Sequence, residues 1–165
     1  MRSRLRNLQV FVLLAAVIFA MTVQSQTAAS AAPLSYPCGT GWPGVYGAIA
    51  DRYYQPNIRA GLGCPVNWEY DASSPNRAQN FQGGLIYWYS TGYTGATWGD
   101  IYMKWANQCG GIWGVLGPPE PGDEEFEYVS GGIVYRLSKF LFGSIVWKSS
   151  DGSTVASNGN QHVVC

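Results

Sequence analysis

Ionisable side chains are scarce. Only 12% of the 165 residues are Asp, Glu, Lys or Arg, and there is a single His, His162. With that one imidazole close to the C-terminus, a Ser-His-acid triad lacks a base beside a nucleophile, and no Gly-x-Ser-x-Gly elbow occurs. No pair of the four Cys is close in sequence, so zinc-type ligation is the weaker reading and no metal or cofactor is expected. Long apolar runs are also missing. Val10 to Met21 is the longest and is short for a bilayer span. Excess positive charge is absent too. The first 31 residues hold three of the ten Lys+Arg and none of the ten acids, so the remainder carries 7 − 10 = −3. That balance argues against a nucleic-acid partner and against docking on anionic lipid.

The N-terminus reads as a secretory signal over residues 1–31. Arg2, Arg4 and Arg6 precede the apolar run, and Ala29-Ser30-Ala31 is a small-x-small cleavage site. The mature chain is expected to be secreted, extracellular or wall-associated, with no membrane insertion after cleavage. In that compartment Cys38, Cys64, Cys109 and Cys165 are expected to form two disulfides. Three pairings are possible. The favoured one joins Cys38 to Cys165, tying the termini, and Cys64 to Cys109.

What is abundant is aromatic. All seven Trp fall after the signal segment, more than a small domain hides easily. They sit in a pattern written twice. Gly47, Ile49, Arg52, Tyr53, Leu62, Gly63 and Pro65 return as Gly99, Ile101, Lys104, Trp105, Leu116, Gly117 and Pro119. Arg77, Phe81, Gly84, Ile86, Trp88 and Ser90 return as Arg136, Phe140, Gly143, Ile145, Trp147 and Ser149, each offset by 59 (136 − 77). Fixed-offset similarity marks a repeat architecture, whose units pack together because each is too small to bury its own apolar face.

The expected fold is α+β and β-rich: two tandem units of short helix, Leu-Gly-x-Pro turn and β-hairpin, packed as one small disulfide-bonded domain. The expected boundaries are an arm over 32–46, repeats over 47–98 and 99–159, and a tail over 160–165. Helices are expected over Val45–Gln55, ended by Pro56, and over Asp100–Gln108, ended by Gly110-Gly111. Strands are expected over Asn80–Ser90, Gly131–Leu137 and Lys139–Ser149, with a tight turn near Ser138-Lys139.

Strand alternation sorts the side chains. Gly84, Ile86 and Trp88 share a face whose equivalents are Gly143, Ile145 and Trp147, and a face with the same residue types in both copies is expected to be packed. The other face differs: Leu85, Tyr87 and Tyr89 against Ser144, Val146 and Lys148. It is expected to be exposed. Arg77 and Arg136, just before the strands, are expected to cap a turn or pair with an acid such as Glu69 or Asp123, with a hydrogen bond to a sugar hydroxyl or acidic glycan group as the second reading. Glu120, Asp123, Glu124, Glu125 and Glu127 form one crowded loop. It reads as a solvated acidic segment, with weak calcium binding as the second reading.

At these residues the chain resembles the LGFP repeat family, named for a Leu-Gly-Phe-Pro turn and carrying a Phe-Gln-Gly-Gly-x-Ile-Tyr-Trp strand. The turns here are Leu62-Gly63-Cys64-Pro65 and Leu116-Gly117-Pro118-Pro119, and the strand is Phe81-Gln82-Gly83-Gly84-Leu85-Ile86-Tyr87-Trp88. The third turn position departs from Phe in both. The resemblance implies a secreted protein of the actinobacterial cell envelope and a binding role toward wall polysaccharide, with no catalytic residues to carry over. The expectation is a non-enzymatic module that stacks aromatics on sugar rings, with Tyr87, Tyr89, Trp68 and Trp98 as contacts and Gln82 and Arg59 as polar partners. A protein-binding or inhibitory module is the alternative, and a small hydrolase using the acidic loop the second.

Overall fold

The computed structural model describes residues 32–122, 126–159, 161–163 and 165. The expected signal segment, together with Asp123, Glu124 and Glu125 of the acidic loop, lies outside the described residues. The elements in order are α1 (Gly47–Tyr53), α2 (Pro56–Leu62), β1 (Tyr70–Asp71), β2 (Arg77–Phe81), β3 (Gly84–Trp88), β4 (Thr94–Trp98) and α3 (Gly99–Asn107). A 3-10 turn follows at Gly111–Trp113, and then β5 (Phe126–Ser130), β6 (Ile133–Phe140), β7 (Gly143–Lys148), β8 (Thr154–Asn158) and β9 (Gln161–His162). β1 to β4 form one antiparallel sheet in chain order, and β5 to β9 form a second. The chain is thus α+β and strand-rich.

Local chemistry explains where the elements stop. Pro56 ends α1, as expected, but it also opens α2. Its fixed φ suits the first helical position, and the preceding Gln55 is extended at ψ 131°. Gly110 stops α3 in the left-handed region at φ 84°. The segment expected as one strand over Asn80–Ser90 is two, because β2 and β3 pair from Phe81↔Gly84 through Arg77↔Trp88 and turn at Gln82-Gly83. Likewise β6 runs unbroken through Ser138-Lys139, and the turn falls at Leu141-Phe142.

The repeated residues prove to be one packing device, present in each half. In the N-terminal half Tyr53 stacks on Phe81 at 5.1 Å and donates its hydroxyl to Gly63 O at 3.0 Å. In the C-terminal half Trp105 stacks on Phe140 at 5.7 Å and donates Nε1–H to Gly117 O at 2.8 Å. The turn prolines bridge to the same phenylalanines, Pro65 to Phe81 and Pro119 to Phe140. The turn leucines lie over the strand glycines. A Cβ on Gly84 would sit 2.7 Å from Leu62 Cδ2 and collide with Thr97 O; on Gly143 it would sit 2.8 Å from Leu116 Cδ2 and collide with Ser157 O. Gly84→Ala is therefore expected to cost about 1–3 kcal/mol by overpacking against immovable backbone, read as a lower urea midpoint with an unchanged slope.

Two buried clusters divide the interior. One, with Val45, Ile49, Tyr53, Leu62, Phe81 and Ile86, lies between α1, α2 and the first sheet. The other, with Ala78, Leu85, Tyr87, Ile101, Trp105, Phe140 and Ile145, joins the opposite face of that sheet to α3 and the second sheet. The first sheet is therefore covered on both faces. This corrects the expectation that Tyr87 and Tyr89 are exposed: they lie on the face that α3 covers. Tyr87 is 2% exposed and donates to Ala72 O at 3.1 Å. Tyr89 packs against the same cluster and donates to Pro119 O at 2.8 Å. The recurring face is packed as expected, with Trp88 and Trp147 partly buried against their clusters.

Two disulfides form, but not in the favoured pairing. Cys38 bonds Cys64 and Cys109 bonds Cys165, so neither Cys38–Cys165 nor Cys64–Cys109 exists. Each terminus is tied to the half it packs on. The entry arm bridges at Ser35↔Val45 and lies beside the first Leu-Gly-x-Pro turn. The tail pairs with β8 through β9 and returns to the end of α3. Arg77 pairs with Glu69 at 2.7 Å as expected, whereas Arg136 reaches Glu127, its cross-strand neighbour, at 3.3 Å and lies 5.1 Å over the Trp147 ring.

A candidate ligand cleft beside helix α3

The covered face of the first sheet is not filled to its edge. Where β1 and β2 end against α3, a cleft of about 230 Å³ remains, lined by Tyr70, Asp71, Asn80, Tyr102, Trp105 and Trp113 among others. β1 is only two residues long and pairs Tyr70 with Ala78, which places the Tyr70 phenol beside Asn80, 3.4 Å from its Oδ1. One turn before Trp105, α3 supplies Tyr102, its ring 6.0 Å from the Trp105 ring. The left-handed Gly110 reverses the chain so that the Gly111–Trp113 turn lies at the cleft mouth, with Trp113 74% exposed. That turn is tight: a Cβ on Gly114 would collide with Cys109 O, the residue bonded to Cys165.

The lining is amphipathic: aromatic rings, one amide, two phenols and one carboxylate, Asp71. Rings with a few convergent polar groups suit a polyhydroxylated ligand, whose ring faces are apolar and whose rim hydrogen-bonds. The volume is below the roughly 300–1,000 Å³ of drug-sized sites, so it suits one ring of a longer chain.

Burial pushes the Tyr70 and Tyr102 hydroxyls above their ordinary range, so both stay protonated donors at neutral pH. Tyr87 and Tyr89 are raised for the same reason. The consequence for stability follows from linkage. Unfolded tyrosines release protons near pH 10, at about their free value, while the folded ones hold them. The contribution of these four is therefore complete below about pH 10 and is lost as pH rises beyond it. A denaturant midpoint that holds up to about pH 10 and falls progressively above it, together with a delayed tyrosinate absorbance rise, is the expected result.

None of the six residues expected from sequence to bind ligand lines this cleft. Tyr87 is buried in the second cluster and Tyr89 packs, partly buried, against it. Gln82 Oε1 accepts from the Cys64 amide at 3.0 Å and braces the turn. Arg59 lies 5.7 Å over both the Tyr53 and Tyr54 rings and donates to Pro37 O at 3.4 Å. Trp98 lies on Gly61, where a Cβ would overlap its indole. Only Trp68 keeps a free aromatic surface: it is 50% exposed and 6.2 Å from Tyr36. The cleft was missed because Tyr70, Asn80 and Trp113 stand outside the repeated pattern. Asn80, for example, is answered by Lys139 at the 59-residue offset.

A comparison with curated proteins finds no match to the chain. The family model of the LGFP repeat matches residues 62–111. This segment runs from the first Leu-Gly-x-Pro turn through the four-stranded sheet and α3 to the turn that opens onto the cleft. Over residues 62–111 the chain is similar to an LGFP repeat.

Proposed function

We propose that the protein is a secreted, non-catalytic module that binds cell-envelope polysaccharide in the cleft between the first sheet and α3. The observation that carries the reading is the cleft's composition: Trp113, the most exposed large aromatic among the described residues, lines it together with Asn80, the exposed Asp71 and two half-buried phenols, Tyr70 and Tyr102. The LGFP segment contains nearly all of that lining, which supports a role for the repeat in binding. Two disulfides suit an oxidising compartment, and among the described residues no helix is long and apolar enough to cross a membrane. The absence of turnover is part of the proposal. Glycoside hydrolysis uses two carboxylates facing across a cleft, and this lining holds one.

The test is sedimentation of the oxidised mature protein with protein-free actinobacterial cell wall, before and after the polysaccharide is stripped from the peptidoglycan. Binding should be lost on stripping. Trp113→Ala should weaken binding about tenfold, the scale of an aromatic contact, without lowering the thermal midpoint, because the ring is mostly in solvent. Trp68→Ala should leave binding unchanged. If Trp68→Ala abolishes binding and Trp113→Ala does not, the ligand sits on the entry-arm surface instead.

A further inference from the structure

The two sheets differ in what covers them. On the first sheet, Ala78 and Tyr87 lie side by side under α3 and are buried. At the 59-residue offset stand Leu137 and Val146 of the second sheet (78 + 59 and 87 + 59), which are partly exposed and stand outside both buried clusters. They belong to an unbroken apolar row across four strands, Phe126↔Leu137↔Val146↔Val155. Phe126 is 62% exposed and Val155 41%. Beside that row Tyr128 and Tyr135 stack at 5.1 Å, extending the patch. A contiguous apolar face of this kind is what an interface leaves when its partner is missing.

We propose that this face pairs two copies of the chain, sheet against sheet, about a two-fold axis. The same strand positions already form a protein interface once in the molecule, in the first sheet. The row itself, one phenylalanine and three aliphatic side chains, offers no amide or carboxylate to hold a sugar's hydroxyls, in contrast to the cleft, which favours an apolar protein surface as the occupant. Charge does not oppose self-pairing. The lysines on this face, Lys139 and Lys148, lie to either side of the row, and Lys148 is paired with Asp151 at 3.3 Å.

A closed pair is favoured over a growing chain by the other end of the molecule. In a head-to-tail array, the sheet of one copy would have to receive α1 of the next, as the first sheet receives α3. That position is taken. The α3 amide Gly99 N–H donates to Gly83 O of the preceding hairpin, and the α1 amide Gly47 N–H donates in the same way to Ala32 O of the entry arm. The arm stands where a preceding sheet would stand, so a second copy would meet this face with its own second sheet rather than with α1.

The experiment is sedimentation equilibrium of the oxidised mature protein across a dilution series, with Phe126→Asp and Val146→Glu measured alongside. The expected result is a monomer–dimer equilibrium for the native chain and monomer for both variants, with near-UV circular dichroism and cell-wall binding retained. Phe126 is mostly in solvent, so its variant folds even if Val146→Glu does not. A native chain that stays monomeric at every concentration overturns the proposal, as does a Phe126→Asp dimer. Assemblies that keep growing with concentration overturn the closed two-fold pairing. Loss of wall binding in a monomeric native chain on Phe126→Asp would assign the face to the glycan. The cleft reading stands or falls separately, on Trp113→Ala.

Discussion

Trp105→Ala is expected to leave the domain largely unfolded at room temperature. The side chain is 2% exposed, stacks on Phe140, and is shared between the buried face of the first sheet and the second sheet. Truncating a buried Trp costs about 3–5 kcal/mol, and here the Gly117 carbonyl also loses its donor, a further ~1–3 kcal/mol. The sum approaches the ~5–15 kcal/mol that holds a typical domain together. Trp105→Phe separates the two contributions. It keeps a ring against Phe140 and removes only the indole N–H, so a smaller loss of about 1–3 kcal/mol is expected. Urea unfolding followed by circular dichroism reads both. A Trp105→Ala variant within about 1 kcal/mol of the native chain would show that the halves do not depend on this contact.

The second large effect is expected from Cys109→Ser with Cys165→Ser. This bond closes a separation of 56 residues, against 26 for Cys38–Cys64. By chain entropy the longer loop is worth about 4 kcal/mol and the shorter about 3.5 kcal/mol, upper figures for what removal costs. The longer bond matters more for a second reason. Among the described residues the tail is held by the short β9 pairing and the Val163 N–H bond to Ala156 O, whereas the arm keeps its bridge at Val45 and the Gln79 Nε2–H bond to Gly44 O. Thermal unfolding should show the larger drop for the Cys109/Cys165 double variant, and amide exchange should rise first in β8 and β9. Because Cys109 anchors the turn that carries Trp113, cell-wall binding should weaken in the same variant. Equal thermal losses for the two double variants would remove the argument from tail anchoring.

By itself the sequence determined the parts whose reasons are local. The repeated Tyr/Trp, Leu-Gly-x-Pro, Phe and Gly are legible because each answers a partner within its own copy of the pattern: ring on ring, leucine on glycine, indole or phenol on the turn carbonyl. Gly110 and Pro56 are legible as stops for the same reason, although Pro56 as the start of α2 was not, since a proline both breaks one helix and suits the first turn of the next. Alternation showed that β3 has two faces, and it identified the packed one. It could not show that α3 folds back to cover the other, because that depends on residues of the next half meeting the sheet. Tyr87 and Tyr89 were misplaced for this reason, whereas the equivalent face at Ser144, Val146 and Lys148, expected to be open, is partly exposed. The disulfide pairing and the cleft share that origin. Four cysteines state that two bonds form, but the route of the arm and tail decides which. Tyr70, Asn80, Tyr102 and Trp113 become a site only where a two-residue strand, a helix and a left-handed glycine turn bring them together.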